Sequence, residues 1–235
     1  MNRILIAVGI FILVFTTSLW AFFPFGPFVE STVSKSAKNM GMRIKYDGAD
    51  SGIFSTTLKD VQLNGREIGD FTLRHTPMTI FTRSMKVSVK GIYNAEAEIS
   101  EDLMEFDVTT SGKALDFIKE PVSLNGNVRI QGKIDIKGDS SQIKAQADKM
   151  LLETPLGEMT FENVSADIES AKNRVTINSI KSDDRNELNM KGTIRLKRLN
   201  MPDSEVALNG SIKLAGQRKN LTINGKIDNL HPVLN

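Results

Sequence analysis

Chemistry at a protein site needs polar groups held at a fixed spacing, and this 235-residue sequence offers few of them. It has two histidines and no cysteine. Neither His75 nor His231 stands in an H-E-x-x-H or similar ligand spacing. His75 lies beside Pro77 at the end of a predicted strand and reads as a surface turn residue, not a catalytic base. His231-Pro232 is close to the last residue and reads as part of a disordered tail. Ser34-Lys35-Ser36 lacks the neighbours of a nucleophile elbow or of an S-x-x-K serine enzyme. Asp183-Asp184 and Gly138-Asp139 bring carboxylates together as calcium ligands would, but hairpin turns account for both. Gly65 and Gly69 form no phosphate loop, because no G-K-[ST] step and no following helix accompany them. The sequence therefore predicts a non-enzymatic protein with no catalytic residues, metal ligands or cofactor.

Composition narrows the partners. Thirty basic residues against twenty-eight acidic ones create no large field that would select DNA, RNA or an acidic substrate. Six of the twelve phenylalanines and the only tryptophan fall within the first 28 residues, leaving few rings on which bases could stack. No nucleic-acid partner is expected. The absence of cysteine excludes disulfides and thiolate metal sites and is compatible with an oxidising compartment.

Those first residues organise the rest. Ile4 to Phe23 carries no charge, and the uncharged run ends only at Glu30. Twenty helical residues span about 30 Å, the thickness of a bilayer's hydrocarbon core. A cleaved signal peptide would need small residues at the exit, but Ala21 has Leu19 two positions before it and Trp20 between. Trp20, Phe22, Phe23, Phe25 and Phe28 read instead as an interfacial aromatic belt. Residues 1–28 are thus expected to be an uncleaved single-span anchor held by Ile4, Phe11, Phe15, Trp20, Phe22 and Phe23. Arg3 favours a cytoplasmic N-terminus while Lys35 and Lys38 lie near the other end, so charge alone leaves the orientation open.

After the anchor, Val29, Val33, Ala37 and Met40 recur at helical spacing, with Gly41 as a stop. A short amphipathic helix over 29–41 is predicted, its stripe packed on the first strands, with a place on the membrane headgroups as the alternative. From Met42 the pattern is β, with Asn-Gly, Lys-Gly and Gly-Asp turns. Strands are predicted near 43–46, 53–64, 67–74, 85–93, 95–100 and 104–110. Thr76 to Arg83 reads as a short helical or irregular crossing, and Ala114, Leu115 and Ile118 as a helical turn or two ended by Pro121. That turn places an expected sub-boundary of the β domain, 42–235, near 111–121. Further strands are predicted near 122–130, 132–137, 142–152, 158–169, 173–182, 186–197, 204–214 and 219–228. The clearest alternation lies at the end of the chain. Leu188, Met190, Ile194, Leu196, Val206, Leu208, Ile212, Leu214, Leu221 and Ile223 form a candidate apolar sheet face, with charged residues between them. Glycines recurring inside strands, at Gly126, Gly132, Gly192 and Gly210, predict bulges and curvature. The expected fold is mainly β: a transmembrane helix and a short amphipathic helix, then a curved, mostly antiparallel sheet.

The order of anchor, helix ending in Met40-Gly41-Met42-Arg43-Ile44, and then SGIFSTTLKDVQLNGREIGDFTLRHTP resembles type II secretion system protein N. The strand pair in GTIRLKRLNMPDSEVALNGSIKL, Gly192 to Leu214, is similar to that family's C-terminal half. More distantly the chain is similar to AsmA-like proteins, whose anchored β-sheets form lipid-holding grooves. The first resemblance implies a single-pass accessory component of protein secretion in the bacterial inner membrane. Its β domain would be a periplasmic scaffold whose partners are the membrane and other secretion-system proteins. The second implies binding or transfer of lipid acyl chains in an open apolar groove. One-sided alternation fits both, since an apolar face needs a cover and a second sheet layer is the usual one.

Overall fold

The computed structural model describes residues 25–39, 41–76, 83–115, 122–154, 157–183, 186–197, 203–214, 216–227 and 229–234. The anchor residues Ile4, Phe11, Phe15, Trp20, Phe22 and Phe23 lie outside them, as do Met40 and the crossing at 77–82. Among the described residues the protein is mainly β, with antiparallel strand pairs and one short α-helix. No helix of the described residues is long and apolar enough to cross a membrane. The chain divides into two compact units at Gly91/Ile92.

In the first unit, helix α1 runs from Phe25 to Asn39, starting several residues before the spacing predicts. Its end closes with two hydrogen bonds, from the Gly41 N–H to the Lys38 carbonyl (3.0 Å) and from the Met42 N–H to the Ala37 carbonyl (2.8 Å). These satisfy carbonyls that a helix end leaves open. Val29 and Ala37 are buried and Val33 is partly buried, so the predicted stripe faces inward. It packs on β2 (Gly48–Ser51) and β3 (Ser55–Leu63). The Tyr46 hydroxyl donates to Glu30 at 2.8 Å, which ties the helix to the chain beyond it and raises the phenol's pKa. Both β2 and the short β1 (Ile44–Lys45) pair with β3, followed by β4 (Arg66–Arg74) and β5 (Met85–Lys90). Strand β2 has no apolar alternation, GADS, and is held by backbone pairing with β3 together with the Ser51 hydroxyl donating to Thr56 at 3.1 Å.

The surface position expected for His75 is overturned. His75 is 6% exposed, its ring stacked on Phe25 with centroids 3.9 Å apart and planes 15° apart. Its Nε2 lies 3.1 Å from the Thr56 hydroxyl, and its backbone N–H donates to the Phe54 carbonyl. The first turn of α1 covers it, which no local pattern around Pro77 could reveal. Burial holds the imidazole below its ordinary pKa. The unfolded chain therefore binds the proton more readily than the folded one. Stability of this unit should be complete above the unfolded value of about 6.5 and fall as pH drops from there through the folded value. Hydrogen exchange of β3 amides, corrected for intrinsic rates, should show this decline in the wild type and a weaker one in His75→Gln. Equal pH dependence in both would refute the assignment.

The second unit contains β6 (Tyr93–Ile99), β7 (Leu103–Ser111), β8 (Val122–Asp135), β9 (Ser140–Thr154) and β10 (Gly157–Ala171). It continues with β11 (Arg174–Asp183), β12 (Glu187–Arg195), β13 (Glu205–Leu214), β14 (Gln217–Lys226) and β15 (Asn229–Leu234). Each strand pairs antiparallel with the next. The two strands expected at 122–130 and 132–137 are one, β8. The expected disordered tail is instead β15, where His231 pairs opposite Asn224 and Leu230 and Leu234 pack on the core. Pro232 is tolerated there because β15 pairs on one side only among the described residues. The helical turn after β7 is a 3-10 turn, Gly112–Leu115, and its Leu115 packs with Val128 and Ala147.

Bulges bend these long strands. At Gly126 (φ 79°) the pairing jumps from Asn125–Lys149 to Val128–Ala147, and the Asn127 N–H donates to the Asp148 carboxylate at 2.8 Å. Asn163 on β10 also has a positive φ, 51°. There the apolar side passes from Phe161 to Val164, three residues on instead of two, while β9 passes from Met150 to Ala147. Close strand approach adds curvature: a Cβ on Gly210 would run into the Asn189 carbonyl and lie 2.7 Å from Met190 Cα. The sheet of this unit curls until β15 meets β9. One cluster then joins Met150, Leu152 and Phe161 to Leu188, Ile212 and Leu221, residues of strands that are not ladder neighbours.

Candidate functional site

Directly opposed residues of an antiparallel pair share a face, so the register can be followed across the second unit as rows. One row runs Tyr93, Thr110, Val128, Ala147, Val164, and after the β11 bulge Ser182, Leu188 and Ile212. Apart from Tyr93, every residue in it is buried. Beyond it, towards the 150s, Met150, Leu152, Met159 and Phe161 are buried as well. This end of the sheet is closed.

The other direction differs. The next row is Ala95, Val108, Ile130, Ala145 and Ala166, followed by Ala97, Phe106, Gly132, Ile143 and Ile168. The outermost is Ile99, Met104, Ile134, Ser141 and Ser170. All fifteen of these positions, on β6 to β10, are only partly buried. The same apolar face is thus covered at one end and left partly open at the other. Five strands with four gaps of about 4.8 Å give an open strip about 19 Å across. The Phe106 ring lies over Gly132, where a Cβ would come 2.8 Å from its Cζ, so the missing side chain is replaced by an aromatic from the neighbouring strand.

The predicted face divides along the same line. Leu188, Met190, Val206, Leu208, Ile212, Leu221 and Ile223 are buried in one cluster, with Ile194 partly buried against it. Leu196 is partly buried, and its N–H donates to the Asn173 carbonyl. Leu214 lies on β13 opposite Gln217. The open rows on β6 to β10 were missed by the C-terminal pattern. Their signal was present in Met104-x-Phe106-x-Val108 and Val128-x-Ile130-x-Gly132-x-Ile134.

The opposite face is polar and pinned by charge. Arg129 donates to both oxygens of Asp107, at 3.1 and 2.6 Å, and Gln131 donates to the same carboxylate. The Arg129 contact holds the Asp107 carboxyl below its usual range. Lys133–Glu105 and Lys213–Glu187, each at 2.6 Å, repeat the device, and the Lys213 hydrogen bond lowers the Glu187 pKa. Such exposed pairs contribute little stability but fix which face is wet. Among the described residues no cluster of His, Cys, Asp or Glu could hold a metal ion. Gly138-Asp139 is a turn, as predicted: the Gly138 N–H donates to Asp135 at 2.7 Å, and Asp139 has φ 48°. What the site can do is remove hydrocarbon from water. Compared with protein-family models, curated proteins and solved structures, the chain finds no match.

Proposed function

We propose that this chain is a membrane-anchored, non-enzymatic β protein that holds lipid acyl chains along the open rows of its second unit, in the manner of the AsmA-like resemblance. One observation carries the reading: a mostly apolar face, buried at Phe161 and Ile212, is partly exposed at all positions of three rows on β6 to β10, polar among them only at the hydrogen-bonded Ser141 and Ser170. A closed structural core would bury those rows too. A chain laid across them gains about 0.8 kcal/mol per methylene removed from water. The bulges and the curl of β15 onto β9 support a trough with one blind end. The expected anchor ahead of α1, with its uncharged Ile4 to Phe23, would place that trough beside its lipid source, in the periplasm of a bacterial inner membrane.

The secretion-scaffold reading, an accessory component of type II protein secretion, shares the anchor and draws on the polar face. Its ion-paired Asp107, Glu105 and Glu187 offer a rigid charged surface to other proteins. It leaves the open apolar rows without a task, and so ranks second.

Full-length protein purified in detergent should carry phospholipid detectable by mass spectrometry after solvent extraction. A photo-crosslinking residue at Ile143 should form lipid adducts, and one at Lys144 on the opposite face should not. No adduct at Ile143 or Phe106, with crosslinks from Lys197 only to proteins, would sink the acyl-chain reading and favour the scaffold.

A further inference from the structure

We infer that the first unit is seated on an anionic bilayer by one end of its own sheet, through Ile53, Phe54 and Met85 together with Phe28 of α1. The inference rests on the membrane attachment in the reading above, and not on the acyl trough. Among the described residues of this unit, the exposed large hydrophobic side chains are Phe28 (56%), Ile53 (48%), Phe54 (60%) and Met85 (43%). All four lie at the same end. Ile53 and Phe54 form the β2–β3 connection, with Ser51 paired to Thr56. Ser55, the first residue of β3, pairs with Arg74, the last of β4, and Arg74 pairs with Lys86, next to Met85. Phe28 is in the first turn of α1, whose Phe25 stacks on His75 just beyond Arg74.

Within the described residues of the first unit, the other end, with the Asn64-Gly65 turn, has no exposed large hydrophobic up to Gly91; Ile92, the first residue of the second unit, is exposed.

Two further observations choose a bilayer as the occupant. The uncharged run that begins at Ile4 continues through Phe25 and Phe28 to Val29, so the chain enters the unit at the apolar end. That end is also basic, with exposed Arg74, Arg83 and Lys86, and basic side chains beside inserted aromatics fit anionic headgroups. Phe54 and Ile53 would then sit at headgroup level with their rings and branches in the acyl boundary.

The absence of native cysteine allows clean labelling. Full-length Phe54→Cys, Met85→Cys and Glu67→Cys, each carrying a nitroxide, would be reconstituted into phosphatidylethanolamine–phosphatidylglycerol vesicles. Collision with oxygen relative to a water-soluble nickel chelate should be several-fold higher at positions 54 and 85 than at position 67, which lies at the far end. Adding Arg74→Gln and Lys86→Gln, or replacing the anionic lipid by phosphatidylcholine, should shrink that ratio at position 54. Equal chelate access at 54, 85 and 67 would overturn the inference, as would lipid exposure at all three. Neither outcome depends on whether Ile143 crosslinks to lipid, so the two readings fail separately.

Discussion

Replacing Ile212 by aspartate is expected to cost the second unit about 4 kcal/mol or more. Ile212 is fully buried on β13, opposite Leu188 on β12, within the closed end of the face. A carboxylate there has neither water nor a partner, and an unpaired buried charge is among the costliest single changes. The control must be chosen with care. Lys213, one position on, is on the wet face but bonded to Glu187, so an aspartate there would place two carboxylates together. Asn209→Asp, exposed on the same strand, should cost under about 1 kcal/mol. Urea unfolding of the full chain followed by circular dichroism, with hydrogen exchange to assign the loss to β12–β14, would measure both. Similar losses at 209 and 212 would mean that the strand is buried on both faces.

Phe161→Ala is expected to remove about 3–5 kcal/mol, and Phe106→Ala less than half of that. The two residues are the same type on the same apolar face. Phe161 has no exposed surface and packs in the main cluster of the second unit, so truncation loses transfer energy and leaves a cavity. Phe106 is partly exposed over Gly132 in the open rows, where truncation leaves no enclosed void. Unfolding of lipid-free protein tests this contrast directly. Equal costs would show the outer rows to be a covered core, and the proposed trough would go with them. Bound lipid should add a second signature: it stabilises only the state that binds it, so delipidation should lower the melting temperature of the wild type more than that of Phe106→Ala.

Local residue chemistry settled a good deal by itself. Alternation at Leu188 to Ile223 sorted wet from dry sides, and seven of those ten positions share one cluster. Stripe spacing at Val29, Val33 and Ala37, with Gly41 after it, placed a helix and its inward side. Turn residues such as Gly138-Asp139 marked hairpins, because their side chains and backbone preferences act within a few residues. The uncharged run from Ile4 to Val29 is likewise a property of the sequence.

Other features depended on partners distant in the chain. Strands β2 and β15 have weak patterns of their own and exist because β3 and β14 offer unpaired backbone edges. His75 is buried because Phe25, fifty residues earlier, stacks on it. The side-chain alternation slips on β9 between Met150 and Ala147 and on β10 at Asn163, since one extra residue in a strand reverses every later side chain. A period of two can therefore name the apolar residues but cannot tell which of them end up covered. That was decided by curvature: the sheet curls β15 onto β9 and buries Phe161 and Ile212, while Phe106, Ile143 and Ile168, with equally clear alternation, remain partly exposed. Sequence wrote the apolar face; the coiling of the tertiary sheet, set by bulges and close strand approach many residues apart, divided it into a core and an open strip.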